Sequence, residues 1–124
     1  MPDAADLDQV EHMVRAGEVF GITPITRIPN HADDTILRFL DRGVQGIIVP
    51  HINTREDADA VARAARYYPE GHRGVGGGRA HDYGVGTTRD ESTAWINANT
   101  LVIPMIEETE AVENLDAILG VPGV

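Results

Sequence analysis

The sequence contains no cysteine, which excludes disulfides, thiolate nucleophiles and thiolate metal ligands. A metal would have to be held by carboxylate, imidazole or water, a donor set that suits hard cations such as Mg or Mn. Positive charge is scarce: 10 Lys and Arg stand against 20 Asp and Glu, a formal charge of −10. That field repels phosphate and argues against nucleic acid and anionic membranes as partners. Apolar runs are short, and none approaches the roughly 18 to 20 residues needed to cross a bilayer. The opening MPDAADLDQVE is acidic, where a secretory leader is basic and then apolar. The expected location is the cytoplasm. With 42% hydrophobic and 24% charged residues the chain has the balance of an ordinary globular domain, and its length leaves room for one.

Hydrophobic spacing then lays out the elements. From Asp6 to Gly17, Leu7, Val10, Met13 and Val14 recur at helical intervals, with Gly17 as the expected stop. ITPITRI, residues 22–28, is rich in β-branched residues and predicts a strand, and Asn30 is the expected cap of the next helix. That helix, about His31 to Arg42, buries Ile36, Leu37, Phe39 and Leu40, carries Asp33 and Asp34 in its first turn, and ends at Gly43. GIIVP, 46–50, is uniformly apolar, as in a strand covered on both faces. Thr54 caps a third helix, whose acidic residues come first and whose Arg63 and Arg66 come last, with Ala58, Val61, Ala62 and Ala65 on a small-residue face. Residues 69–90 are glycine-rich, with one short strand expected at RGVG before a loop. A helix over 90–98, a strand LVIPMI over 101–106 and a helix in ETEAVENLDAILG complete the chain, the last with Val112, Leu115, Ile118 and Leu119 facing one way.

Strand and helix alternate three or four times with short connections, which predicts a parallel sheet with right-handed crossovers in one undivided domain. The alternation itself does not choose between a closed barrel and an open sheet. In either, chemistry sits beyond the carboxyl ends of the strands, which singles out Arg27, His51, the glycines from Gly77 to Arg79, and Glu107. An arginine, an imidazole, a glycine loop and a carboxylate on one rim suit a small oxyacid. Each has a plainer alternative: an ion pair for Arg27, a local hydrogen bond for His51, a solvated helix-start carboxylate for Glu107 or Glu108. Asp41, at a helix end where the dipole disfavours it, either has a partner or is simply exposed. His12, His31, His72 and His81 are expected to be solvated. GVGGG lacks the spacing of a dinucleotide fingerprint.

The segments ITRIP, LDRGVQGIIVPHINTREDADAVARAARYYPEGHRGVGGG and VIPMIEETEAVENLDAILGVPGV resemble the HpcH/HpaI aldolase/citrate lyase family, in particular its 4-hydroxy-2-oxoheptanedioate-type aldolases, in register from about Asp6 to Val124. The resemblance implies a (β/α)8 barrel of which this chain holds about half, roughly strands 3–6, with RGVG as one of them. It also implies reversible, divalent-metal-dependent aldol cleavage that releases pyruvate, with Mg, Mn or Co as the metal. On this resemblance Glu107 matches the family's metal-binding Glu, and Arg27 its substrate-binding Arg, which holds the oxo or enolate oxygen. Asp41 matches the Asp of LDxGxQ that pairs with a His in an acid/base relay. His51 and Gly77 become candidate substrate contacts. Three departures accompany the match. The family's (D/E)xEH histidine would lie upstream of Met1, its GPxDLS carboxylate would follow Val124, and Met105 stands where some relatives carry Gln. The expected partners are a small 2-oxo acid and further copies of the same chain. A half-barrel with open edges at ITPITRI and LVIPMI would self-associate without catalysis, and a citrate-lyase-like branch acting on CoA thioesters is the third possibility, disfavoured by the acidic charge.

Overall fold

The computed structural model describes residues 6–124. Helix α1 spans Leu7–Val19, with the Asp6 carboxylate accepting the backbone N–H groups of Asp8 and Gln9, two of the donors a helix start leaves free. It runs past the expected stop at Gly17. The residue that ends it is Gly21, at φ +66°, a left-handed conformation that glycine adopts without strain. Strand β1 is only Ile25–Arg27, shorter than the 22–28 expected. Helix α2, Asp33–Asp41, begins after Ala32 and not at Asn30, whose side chain accepts the Ala32 N–H in a local turn. Strand β2 is Gly46–Val49, and α3, Arg55–Ala64, starts with a reciprocal cap between Thr54 and Asp57.

Strands β1 and β2 pair in parallel, and β2 pairs likewise with β3, Leu101–Pro104. The sheet order is β1-β2-β3. Arg27 stands beside Ile48, and Ile48 beside Ile103, so the three carboxyl ends lie level at one edge of the sheet. Gly46 makes this spacing possible, because a Cβ there would lie 2.6 Å from Ile25 Cγ2 and 3.2 Å from Leu101 Cβ. Ile28, Ile36, Leu40, Ile47, Val49, Ile52 and Val61 form the centre of the core under the helices. This is an α/β architecture with three parallel strands, a partial (β/α)8-barrel fragment.

Residues 73–76, RGVG, are not a strand, which corrects the four-strand expectation to three among the described residues. The chain enters this segment tied to α3: the His72 N–H reaches Arg63 O and the Arg73 N–H reaches Arg66 O, closing the end of that helix. The glycines that follow offer no side chains to cover a sheet face. A 3-10 segment, Arg79–Gly84, leads to α4, Arg89–Ala98, which Thr88 and Glu91 cap reciprocally.

The expected final helix is split at Asn114 into α5, Thr109–Glu113, and α6, Leu115–Leu119. The Asn114 amide turns back to donate to Asn53 O at 2.9 Å. Ala111, Ile118 and Val121 are buried, whereas Val112 and Leu119 are exposed, so the break re-aims the face expected from an unbroken helix. No described helix is long and apolar enough to cross a membrane.

Candidate functional site

Three strand ends converge. Arg27, the last residue of β1, sends its side chain across the end of β2, and its Nε lies 3.3 Å from Met105 Sδ, just past β3. Sulfur is a weak acceptor, and Arg27 has no carboxylate partner among the described residues. Its guanidinium is therefore held over the rim with donors to spare. The Met105 N–H bonds Val49 O at 2.8 Å, extending the β2–β3 register to the residue on which Arg27 rests.

Two residues beyond β2, His51 adopts φ +58°. A non-glycine residue in that left-handed region costs on the order of 1 kcal/mol and persists where neighbours fix it. Here the fixing group is Glu107, whose Oε2 accepts the His51 backbone N–H at 3.1 Å. The imidazole Nδ1 lies 3.0 Å from Glu108 Oε1 and 3.9 Å from Glu107 Oε2. Asn53 Nδ2 donates to the other Glu108 oxygen at 2.8 Å. These hydrogen bonds, first from His51 and then from Asn53, hold the Glu108 carboxyl below its ordinary pKa. Both partners of Glu108 come from the turn after β2, so adjacent glutamates clamp that turn from the end of β3. Sequence reasoning offered a solvated helix start for either Glu107 or Glu108. Neither Glu108 nor Asn53 carried a signal beyond the Glu107-Glu108 repeat.

Arg27, His51 and Glu107 are thus brought together, but Asp41 and Gly77 are not with them. Asp41 ends α2, which runs from the carboxyl end of β1 back to the amino end of β2, so it sits at the opposite end of the sheet. There its carboxylate pairs with Arg73 Nη2 at 2.8 Å, and the Arg73 side chain is only 1% exposed. The Arg73 guanidinium lies over the Tyr67 ring, 4.6 Å from its centroid. The Tyr67 hydroxyl is 2.7 Å from His81 Nε2, and His81 Nδ1 is 2.6 Å from Ser92 Oγ. His81 is therefore buried, which corrects its expected solvation. Burial first, and then the Arg73 charge, pushes its pKa below the ordinary histidine value, while burial pushes the Tyr67 hydroxyl up. Gly77 lines a separate hollow of about 210 Å³ with His81, Ser92 and Thr88.

As a metal ligand, Glu107 offers a carboxylate with Oε1 free of hydrogen bonds among the described residues. A hard cation prefers such oxygens but needs several of them. Among the described residues no three His, Asp or Glu side chains gather closely enough to hold one. These residues alone do not make a closed metal site.

Comparison with known proteins identifies the family and the fold. The chain is 41% identical over 100 residues to a 4-hydroxy-2-oxovalerate aldolase of Novosphingobium aromaticivorans, covering 81% of this chain and 37% of that one. It is 42% identical over 107 residues to a hydroxypyruvate/pyruvate aldolase of Roseobacter denitrificans, covering 82% and 39%. The crystal structure of an HpcH/HpaI aldolase from Desulfitobacterium hafniense superposes with a TM-score of 0.90 at 31% identity, over 98% of this chain and 46% of that one. The chain therefore spans less than half the length of these relatives. Residues 4–124 match the HpcH/HpaI aldolase/citrate lyase family, and with the three parallel strands and their common rim in place, this chain belongs to it.

Proposed function

We propose that the rim formed by Arg27, His51 and Glu107 is part of a carbon-carbon lyase site for reversible aldol cleavage of a 4-hydroxy-2-oxo acid to pyruvate and an aldehyde. The observation that carries this reading is a guanidinium with free donors at the end of β1 and a carboxylate with a free oxygen just past β3, on the same carboxyl edge of the parallel sheet. The named relatives, which are aldolases, support the same reaction class.

Cleavage needs the 4-hydroxyl proton removed, the C3–C4 bond broken and the electron pair moved onto the C2 oxygen. The aldehyde leaves, and a proton returned to C3 completes pyruvate. Arg27 holds the C2 oxygen, and its fixed positive charge is best matched to that oxygen when it becomes an enolate, so the contact strengthens in the transition state. Arg27 is the catalytic residue proposed here. His51 contacts the substrate beside it. Glu107 seats His51 through the backbone and is one carboxylate for a divalent cation, Mg, Mn or Co, whose Lewis acidity would polarise the oxo acid when bound. This reading leaves Asp41 and Gly77 out, since Asp41 pairs with Arg73 and Gly77 lines a separate hollow.

The test follows exchange of pyruvate methyl protons for deuterium by NMR, with Mg present. Exchange that falls at least tenfold in Arg27→Ala and in Glu107→Ala, both still folded, supports the assignment. Exchange indifferent to both substitutions, or absent from the intact chain, overturns it.

A second reading has its own observation. Strands β1 and β3 are the sheet's two outer strands, and Ile22, Ile25 and Leu101 on and beside them are 60%, 48% and 52% exposed. Open edges with apolar flanks favour pairing with another copy of the chain. Light scattering distinguishes the two: a monodisperse monomer removes the self-associating reading.

A further inference from the structure

Oxidisable sulfur is confined to methionine in this chain. Without cysteine, a peroxide meets no thiolate to react with first, and the sulfur atoms are those of Met1, Met13 and Met105. Met13, on α1, is 70% exposed. Met105 differs from it in place and in company. It lies half-buried just past β3 at the open carboxyl edge, and its Sδ accepts the Arg27 Nε–H at 3.3 Å.

That contact engages one lone pair of the thioether and leaves the other for an oxidant. With a hydroperoxide, the free lone pair attacks one peroxide oxygen and the O–O bond breaks. The proton of the attacked oxygen passes to the departing one, which leaves as water or an alcohol. The sulfur is oxidised to a sulfoxide and the peroxide is reduced. The product changes what Arg27 faces. A thioether accepts weakly, which is why the guanidinium keeps donors for a ligand, whereas a sulfoxide oxygen is a polar acceptor. Arg27 has no carboxylate partner among the described residues, so nothing there competes with the sulfoxide for it. A glutamine at this position would also donate from its amide; a sulfoxide only accepts, and it sets partial negative charge beside the place where an enolate oxygen forms.

We infer that Met105 is a modification site for hydroperoxides, and that its sulfoxide captures the Arg27 guanidinium and lowers the activity of the rim. Met105 is then a positioning residue that acts through Arg27, and its oxidation state decides whether those donors are free. The inference rests on the reading of Arg27 as the group that holds the C2 oxygen, and adds to it a response to oxidant. One hydrogen bond diverted in this way lowers the rate roughly three- to tenfold.

The test treats the intact chain with hydrogen peroxide, removes the peroxide, which would itself consume pyruvate, and then adds Mg and pyruvate. Peptide mass spectrometry reads the oxygen gained at Met105 and at Met13, and nitrogen-15 NMR reads the Arg27 Nε–H. The expected result is a Met105 sulfoxide, an Arg27 Nε–H signal moved downfield by the stronger acceptor, and methyl exchange lowered roughly three- to tenfold. Methionine sulfoxide reductase should return both the signal and the exchange. Met13→Leu should respond to peroxide as the parent chain does, and Met105→Leu, measured against its own untreated sample, should not respond. Met105 left intact where Met13 is fully oxidised, an Arg27 signal that stays in place, undiminished exchange in the Met105-oxidised chain, or an equal loss in Met105→Leu overturns the inference and leaves the rim reading standing. Absence of exchange before any peroxide is added overturns the rim reading, and this inference with it.

Discussion

Two polar clusters occupy opposite ends of the sheet, and they treat their hydrogen-bonding groups in opposite ways. At the amino end, Asp41, Arg73, Tyr67, His81 and Ser92 satisfy one another in a chain that is mostly buried. Water is excluded there, and an unpaired polar group is expensive. Even Arg73 Nε, which finds no acceptor among the described residues, belongs to a guanidinium packed on the Tyr67 ring. At the carboxyl end, Arg27 rests on sulfur, Glu107 uses one oxygen and His51 one ring nitrogen. Those groups keep free donors and acceptors because solvent reaches them. A closed cluster holds the loops and helices together, and an open one is left for a ligand.

The sharpest way to break this contrast is to open the closed cluster. Asp41→Ala strands the Arg73 guanidinium, 1% exposed, without its counter-charge. Removal of one partner of a buried pair costs about 3 to 5 kcal/mol. Because Asp41 is itself 39% exposed, we expect the low end, about 3 kcal/mol, read as a drop in the urea midpoint with the m-value unchanged. The open cluster should respond in the other dimension. Arg27→Ala is expected to lower pyruvate methyl exchange at least tenfold while shifting stability by less than about 1 kcal/mol, since its only side-chain partner among the described residues is a thioether. A stability loss as large as that of Asp41→Ala would erase the distinction between the clusters.

The two ends also differed in how far the sequence revealed them. The rim was readable because strand ends in parallel α/β folds carry the chemistry, and Arg27, His51 and Glu107 follow directly from the apolar runs before them. The buried network was not. Its members are spread from Asp41 to Ser92, and the segment that gathers them, RGVG and the glycines after it, has a composition that reads equally as a strand or a loop. Arg73 stands beside a glycine in that segment, and the backbone hydrogen bonds back to α3 turn it inward. Helix ends were misjudged for a related reason: Gly17 and Asn30 have ordinary stop and start chemistry, but Gly21 and Ala32 hold the positions where the tertiary path requires the turn. The break at Asn114 likewise depends on a long-range bond to Asn53 O.

Acid separates the clusters more gently. Burial and the Arg73 charge depress the folded-state pKa of His81 below the ordinary 6.5. The unfolded chain then binds more protons than the folded one as the pH falls through 6.5, so stability declines there and levels off below the folded-state value. His81→Gln should flatten that part of the curve, at a cost of about 1 to 2 kcal/mol at pH 7.5 from the lost bonds to Tyr67 and Ser92. Chemical unfolding at a series of pH values measures both, and an unchanged slope in the variant would place the titrating group elsewhere.

The smallest expected effect is at His51. Replacement by glycine relieves the left-handed backbone, worth about 1 kcal/mol, and removes the exposed hydrogen bond to Glu108, worth roughly 0.5 to 1.5 kcal/mol. The two nearly cancel, so His51→Gly should unfold within about 1 kcal/mol of the parent chain. The Glu107 contact to the backbone N–H of residue 51 survives, because it needs no side chain. A variant of near-parental stability that has lost pyruvate methyl exchange would show that the strained residue is kept for its imidazole. Loss of several kcal/mol would instead mean that the ring holds the rim together, and the open cluster would prove to be structural like its counterpart.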